Sequence, residues 1–142
     1  MGKAKQFEYE YIIGFEDTNL LGNVYYVNHI RWQGRCREMF LRTYAPEVLS
    51  DMAHGLSIVT LRASCNYFSE LAPFDRVSVR MRLSGIVQNR VSLVFDYVRI
   101  IGNAEEVIAR GEQEIAFMRR TGSHLVATPI PEELQNVLKN YL

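Results

Sequence analysis

With 142 residues the chain can bury one real core and is too short for two ordinary ones, so a single domain spanning 1–142 is expected. The 48% hydrophobic and 23% charged composition is that of a globular protein, and no run approaches the roughly 20 apolar residues of a membrane helix. The 16 basic and 16 acidic residues cancel, which argues against a nucleic-acid partner.

Residues 1–10 are charged and lack the apolar run of a secretory signal, so a cytoplasmic location is expected. Within 6–13, Phe7, Tyr9 and Tyr11 alternate with Gln6, Glu8 and Glu10, the two-residue period of a half-buried strand. Residues 15–26 collect Asp17, Thr18, Asn19, Gly22 and Asn23, a loop. From Asn28, read as the N-cap, Trp32, Cys36, Met39 and Phe40 recur at helical spacing up to Pro46, which predicts one helix of about four turns. After Gly55 the segments 56–68, 75–87, 90–101 and 106–119 read as four strands. Their joints at Ala72-Pro73, Gln88-Asn89 and Gly102-Asn103 look like short turns, which predicts an antiparallel meander. Over 129–142, Leu134, Val137, Leu138 and Tyr141 are spaced for a short closing helix. This order is α+β: a curved antiparallel sheet of about five strands wrapped around one long central helix.

Cys36 and Cys65 stand far apart without a Cys-x-x-Cys pair and read as buried small hydrophobes. His29, His54 and His124 are too scattered for a helical ligand pair, so no metal and no cofactor is expected. No Gly-x-Ser-x-Gly elbow occurs, and Ser57, Ser64 and Ser69 read as strand residues.

At about 100° per residue, Trp32, Thr43, Cys36, His29, Phe40, Gln33, Tyr44, Ile30 and Leu41 fall across one half of the helix, and Arg31, Arg35, Glu38 and Arg42 on the other. Arg37 breaks the division, because it lies inside the apolar half between Tyr44 and Ile30. A guanidinium there needs a carboxylate, an interface or a polar substrate, or it snorkels outward at the helix edge. Ahead of the helix, the amides near Tyr25 and Tyr26 are donors suited to an oxyanion or a polarised carbonyl. Asn19 on the loop can orient water or hold a carbonyl, or simply form the turn; Asp17 can serve as a general base or make an Asx turn.

The segment Phe15-Glu-Asp-Thr-Asn-Leu-Leu-Gly-Asn-Val-Tyr-Tyr-Val-Asn28, with Trp32 and Arg37-Glu-Met-Phe40 behind it, resembles the signature of the 4-hydroxybenzoyl-CoA-type hotdog thioesterases. There a Phe-x-Asp-x-Asp-x-x-Gly-x-Val loop leads into the central helix, and Tyr67-Phe-Ser-Glu-Leu-Ala-Pro-Phe-Asp75 looks like the family's strand-to-strand turn. The resemblance runs roughly from residue 7 to 117. Asp17 matches the first acidic residue of that loop, whereas the second, the family's usual catalytic carboxylate, falls on Asn19.

Asn at this place with Arg37 on the helix looks like the thioesterases of enediyne polyketide biosynthesis. That resemblance implies hydrolysis of a β-keto polyene thioester carried by the acyl carrier domain of an iterative synthase, with decarboxylation of the released acid able to follow. It implies that Asn19, Arg37 and the amides at Tyr25 and Tyr26 act, with Asp17 in second rank, and that two copies build the pocket in a dimer or a dimer of dimers. Two rival readings are a binding module that holds a carrier-bound polyene without hydrolysing it, and a general acyl-CoA thioesterase using Asp17.

Overall fold

The computed structural model describes residues 5–141; the first four residues of the charged opening, and Leu142 at the end of the tail, lie outside the described residues. Strand β1 (Phe7–Ile12) shows the predicted alternation, with Phe7, Tyr9 and Tyr11 turned toward the core. The loop beyond it opens with a 3-10 turn, Phe15–Asp17.

Helix α1 (Val27–Tyr44) starts earlier than Asn28, with Tyr26 as its N-cap. Asn28 lies in the first turn, and its amide nitrogen donates to the Asp17 carbonyl 2.9 Å away, tying loop to helix instead of capping. Pro46 does end α1, but it also opens a second helix, α2 (Pro46–Met52), which the sequence reading missed. Proline at the first helical position gives up an amide that would be unpaired there anyway.

Strands β2 (Leu56–Tyr67), β3 (Arg76–Val87), β4 (Arg90–Ile101) and β5 (Ala104–Thr121) follow, then a short β6 (His124–Ala127) that was not anticipated. The tail forms α3 (Glu132–Leu138) and a 3-10 turn, Lys139–Tyr141. The sheet order is β1-β3-β4-β5-β2, with β6 on β5, and every pairing is antiparallel.

The predicted meander therefore holds for β3, β4 and β5 only. β2 leaves it and pairs with β5, from Leu56 opposite Arg119 to Tyr67 opposite Ala109. Residues 68–75 carry Pro73 and a Phe74 at φ 72°, which suits a crossing from one sheet edge toward the other and not a two-residue hairpin. Between β3 and β4, Gln88 at φ 56° does make a tight turn, and Gly102 at φ 57° makes the next one.

The curled sheet closes over α1. Trp32, Cys36 and Phe40 of the helix join Val79, Met81, Phe95, Tyr97, Ile108 and Phe117 of the sheet in one buried cluster, which Leu134, Leu138 and Tyr141 seal from the C-terminal side. Cys36 is buried as expected, whereas Cys65 is half-buried on β2. The β2 strand ends the sheet, and its middle stretch is exposed. No helix among the described residues is long and apolar enough to cross a membrane.

Candidate active site

The helix wheel places most residues correctly: Trp32, Gln33, Cys36 and Phe40 are buried, while Arg31, Arg35, Glu38 and Arg42 are exposed. Thr43 and Tyr44 depart from it, being exposed near the end of α1. Arg37 is half-buried, as its position on the apolar half required. Its Nη1 donates to the Gln113 Oε1 at 2.6 Å and to the Thr60 Oγ1 at 3.5 Å. Among the described residues it forms no ion pair, so the carboxylate foreseen as one resolution is not there. Burial lowers the guanidinium from its usual value, with the nearby Glu38 opposing the shift. The group remains a cation held at the edge of an apolar interior.

Gln113 continues inward. Its Nε2 donates to the Gln33 Oε1 at 3.4 Å, and the Gln33 Nε2 donates to the Ser64 carbonyl of β2 at 2.9 Å. Gly111 on β5 makes this possible, because a side chain there would occupy the place of the Gln33 amide. His29, Gln33 and Arg37 follow one another four residues apart, so they form a polar ladder along α1, His29 against Tyr67 of β2 and Tyr97 of β4, Gln33 and Arg37 against β2 and Gln113 of β5. The sequence reading put all three on the apolar half but singled out Arg37 alone. The missed signal was the four-residue repeat of polar side chains where hydrophobic ones belong.

Next to Arg37 a narrow apolar slot runs between Phe40 and Leu41 of α1, Met81, Leu93 and Phe117 of the sheet, and Leu134 and Leu138 of α3. It encloses about 20 Å³, little more than the space of one water, and Arg37 is its charged lining residue. A separate open groove of about 530 Å³ lies between β1 and α1, where Asp17 meets Tyr11, Arg31 and Trp32.

The loop residues sit apart from Arg37. Asn19 is exposed, and its Oδ1 accepts from the Leu21 amide at 2.9 Å, which closes a local turn. Asp17 is buried, and its Oδ2 accepts from the Gly14 amide at 2.9 Å, likewise closing a local turn. The Tyr25 amide donates to the Asp17 carbonyl at 2.9 Å and is therefore spent on the loop, which removes it as an oxyanion donor. Tyr26 stands at the N-cap, where its carbonyl receives the Tyr67 hydroxyl at 2.7 Å. Asp17 and Tyr25 thus meet at the helix start beside Tyr26, while Asn19 sits on the exposed turn closed by its bonds to Leu21, Gly22 and Asn23. Arg37 lies ten residues further along α1 than Val27, about 15 Å away along the axis.

A sequence model of the thioesterase-like superfamily matches residues 13–138. No curated protein sequence matches the chain. Among solved structures, dynemicin thioesterase, whose crystal structures describe induced-fit and allosteric effects upon polyene binding, is 38% identical with a TM-score of 0.93, over 96% of this chain and 97% of that one. A mutant 4-hydroxybenzoyl-CoA thioesterase complexed with 4-hydroxybenzoyl-CoA shares the fold at 16% identity and a TM-score of 0.84, over 95% and 99% of the two chains. A 1,4-dihydroxy-2-naphthoyl-CoA thioesterase from Synechocystis shares it at 18% identity and a TM-score of 0.81, over 95% and 96%. The chain belongs to the thioesterase-like superfamily, with the hotdog fold, and is a thioester hydrolase.

Proposed function

We propose, from that membership, that this hydrolase releases a β-keto polyene acid from the acyl carrier domain of an iterative enediyne polyketide synthase in the cytoplasm. The observation that carries the reading is the apolar slot ending at a charged Arg37, in a chain 38% identical to a thioesterase whose structures describe polyene binding. An extended hydrocarbon matches the aliphatic and aromatic lining, and the guanidinium suits charge developing at a thioester. Because the slot is narrow, the chain enters by displacing side chains such as Met81 and Leu134.

In the proposed chemistry, water attacks the thioester carbonyl without a covalent enzyme intermediate. The Tyr26 amide polarises the carbonyl, Asn19 positions water or carbonyl, and Arg37 stabilises the developing negative charge. A β-keto thioester helps, since its carbonyl carbon is electron-poor, and the β-keto acid released can then lose CO2. The helix start and Arg37 are about 15 Å apart along one helix, more than one side chain spans, so a shared reaction centre draws them from two copies. The exposed edge of β2 supplies a surface for that pairing, which makes a dimer the minimum and a dimer of dimers the preferred assembly.

The direct test gives purified protein a carrier-bound β-keto polyene thioester and follows free acid and free thiol. Stoichiometric release of both is expected. Binding without release would assign the fold to a holding role instead.

A further inference from the structure

The first rung of the polar ladder has a feature the other two lack. His29 is the third residue of α1 and only 3% exposed. Its Nδ1 lies 3.3 Å from the Tyr26 carbonyl oxygen. A carbonyl only accepts, so Nδ1 carries the ring proton and Nε2 is a bare acceptor. That Nε2 is buried without a hydrogen-bond partner among the described residues.

The ring is walled by Tyr67 at 4.7 Å, Trp32 at 5.2 Å and Tyr97 at 5.4 Å between centroids. Both phenols are committed elsewhere: the Tyr67 hydroxyl donates to the Tyr26 carbonyl, and the Tyr97 hydroxyl donates to the His29 carbonyl. Neither is left to donate to Nε2. A buried acceptor without a donor is unfavourable, so this nitrogen suits a donor that arrives from outside. Tyr67 is 43% exposed, so it is the wall of the ring that faces solvent.

We propose that the His29 Nε2 accepts the proton of the water that attacks the thioester, filling the general-base role for which Asn19 is unsuited. The assignment rests on the thioester-hydrolase reading and places the base in the first turn of α1, beside Tyr26 and the loop that carries Asn19. As the water oxygen bonds to the thioester carbon, one of its O–H bonds breaks, the proton passes to Nε2, and the carbonyl π pair moves to oxygen. The oxyanion then re-forms the carbonyl, the C–S bond breaks with its electron pair on sulfur, and the imidazolium returns the proton to the thiolate. A carboxylic acid and a thiol leave, and the imidazole is regenerated.

Burial holds the imidazole down to about 4. That matches the ordinary carboxylate range, so the ring is as basic as an aspartate would be. Unlike an aspartate it starts uncharged, and so neither repels the oxyanion nor neutralises Arg37. The titratable groups against the ring stay protonated around neutrality: burial pushes the Tyr67 phenol up to about 12, raises Tyr97 further, and lifts the neighbouring Cys65 thiol to about 11.

The experiment measures thiol release from a carrier-bound β-keto thioester between about pH 5 and pH 9 for the wild type, His29→Phe and His29→Gln, with oligomeric state and melting checked for each. The wild-type rate should be flat above about pH 5, since the base is already free of its proton. His29→Phe should lose about 100-fold or more at neutral pH and gain about tenfold per pH unit as hydroxide takes over. His29→Gln, which accepts a hydrogen bond but no proton, should be as slow. Full activity in either variant, or a loss by the same factor at every pH, would overturn the assignment while leaving the hydrolase reading intact. A wild type that releases no thiol would sink both.

Discussion

The Arg37 Nη1 donates to the Gln113 Oε1 across 2.6 Å, so a neutral amide anchors this cation. A carboxylate in that place would cancel the charge, whereas the amide orients it and leaves it available to substrate. Arg37→Ala should therefore lower kcat/KM by about 100- to 1000-fold. Arg35→Ala and Arg42→Ala should leave it nearly unchanged, since both side chains are exposed. Gln113→Glu should also slow hydrolysis, by pairing with Arg37. Equal small losses across the arginine variants would return Arg37 to a structural role.

Most of this arrangement was legible in the sequence, for reasons that differ by residue. Periodicity located β1, α1 and the long strands because a half-buried strand and an amphipathic helix must repeat at two and 3.6 residues. It exposed Arg37 because a cation on an apolar face violates that repeat. It could not assign β2 to the far edge of the sheet, since strand periodicity fixes which face is buried and says nothing of the neighbour. Nor could it see that the Tyr25 amide is spent on the Asp17 carbonyl, because backbone bonds in a loop depend on conformation more than on side-chain type. His29 and Gln33 fall on the right face, but helical direction alone does not reveal that their side chains bond the sheet and the helix start.

Gly111 and Gln33 should be coupled. A Cβ at 111 displaces the Gln33 amide, which gives up its bond to the Ser64 carbonyl. Gly111→Ala should destabilise the fold by about 1–3 kcal/mol, the usual range for overpacking. In the Gln33→Ala background the same change should cost less, because the closest colliding group is gone and only the Ser64 carbonyl at 3.0 Å remains. Denaturant unfolding of the four proteins of this cycle measures the coupling, and simple additivity would refute the close approach.

His29 also predicts how stability depends on pH. The unfolded chain takes up a proton on this ring near pH 6.5, while the folded chain refuses it until about pH 4. Within that window the unfolded state binds more protons, so stability rises with pH and is lost as pH falls. The slope is about 1.4 kcal/mol per pH unit, or about 3 kcal/mol across the window. Urea unfolding at several pH values should show this extra slope in the wild type relative to His29→Phe. Parallel profiles would mean that the buried ring is not held neutral.

The β2 edge should carry the self-association. Leu61 is 45% exposed in the middle of this strand, where an apolar side chain favours pairing and a charge opposes it. The wild type should sediment as a dimer or tetramer at micromolar concentration. Leu61→Asp should shift it toward monomer and reduce hydrolysis in parallel, if two copies build each pocket. A fully active monomer would contradict the shared site.

Asn19→Asp separates the two accounts of the loop. The Asn19 Oδ1 accepts from the Leu21 amide, and an aspartate oxygen can accept the same bond, so the turn should survive and the variant should report chemistry instead of folding. If Asn19 contributes through its amide N–H groups, donating to the carbonyl or its oxyanion, an ionised aspartate has nothing to donate and repels the developing charge. In a site shared between two copies, Arg37 would also be drawn toward the new carboxylate. If Asn19 merely marks a lost base, aspartate restores that base and the rate rises, most on unactivated acyl-CoA substrates. We expect a fall of about 100-fold on a carrier-bound β-keto thioester, the scale of one lost oxyanion donor. An activated carbonyl gains more from a donor than from a second base when the His29 imidazole already accepts the proton. A faster Asn19→Asp enzyme on that substrate, with its oligomer intact, would overturn the donor role.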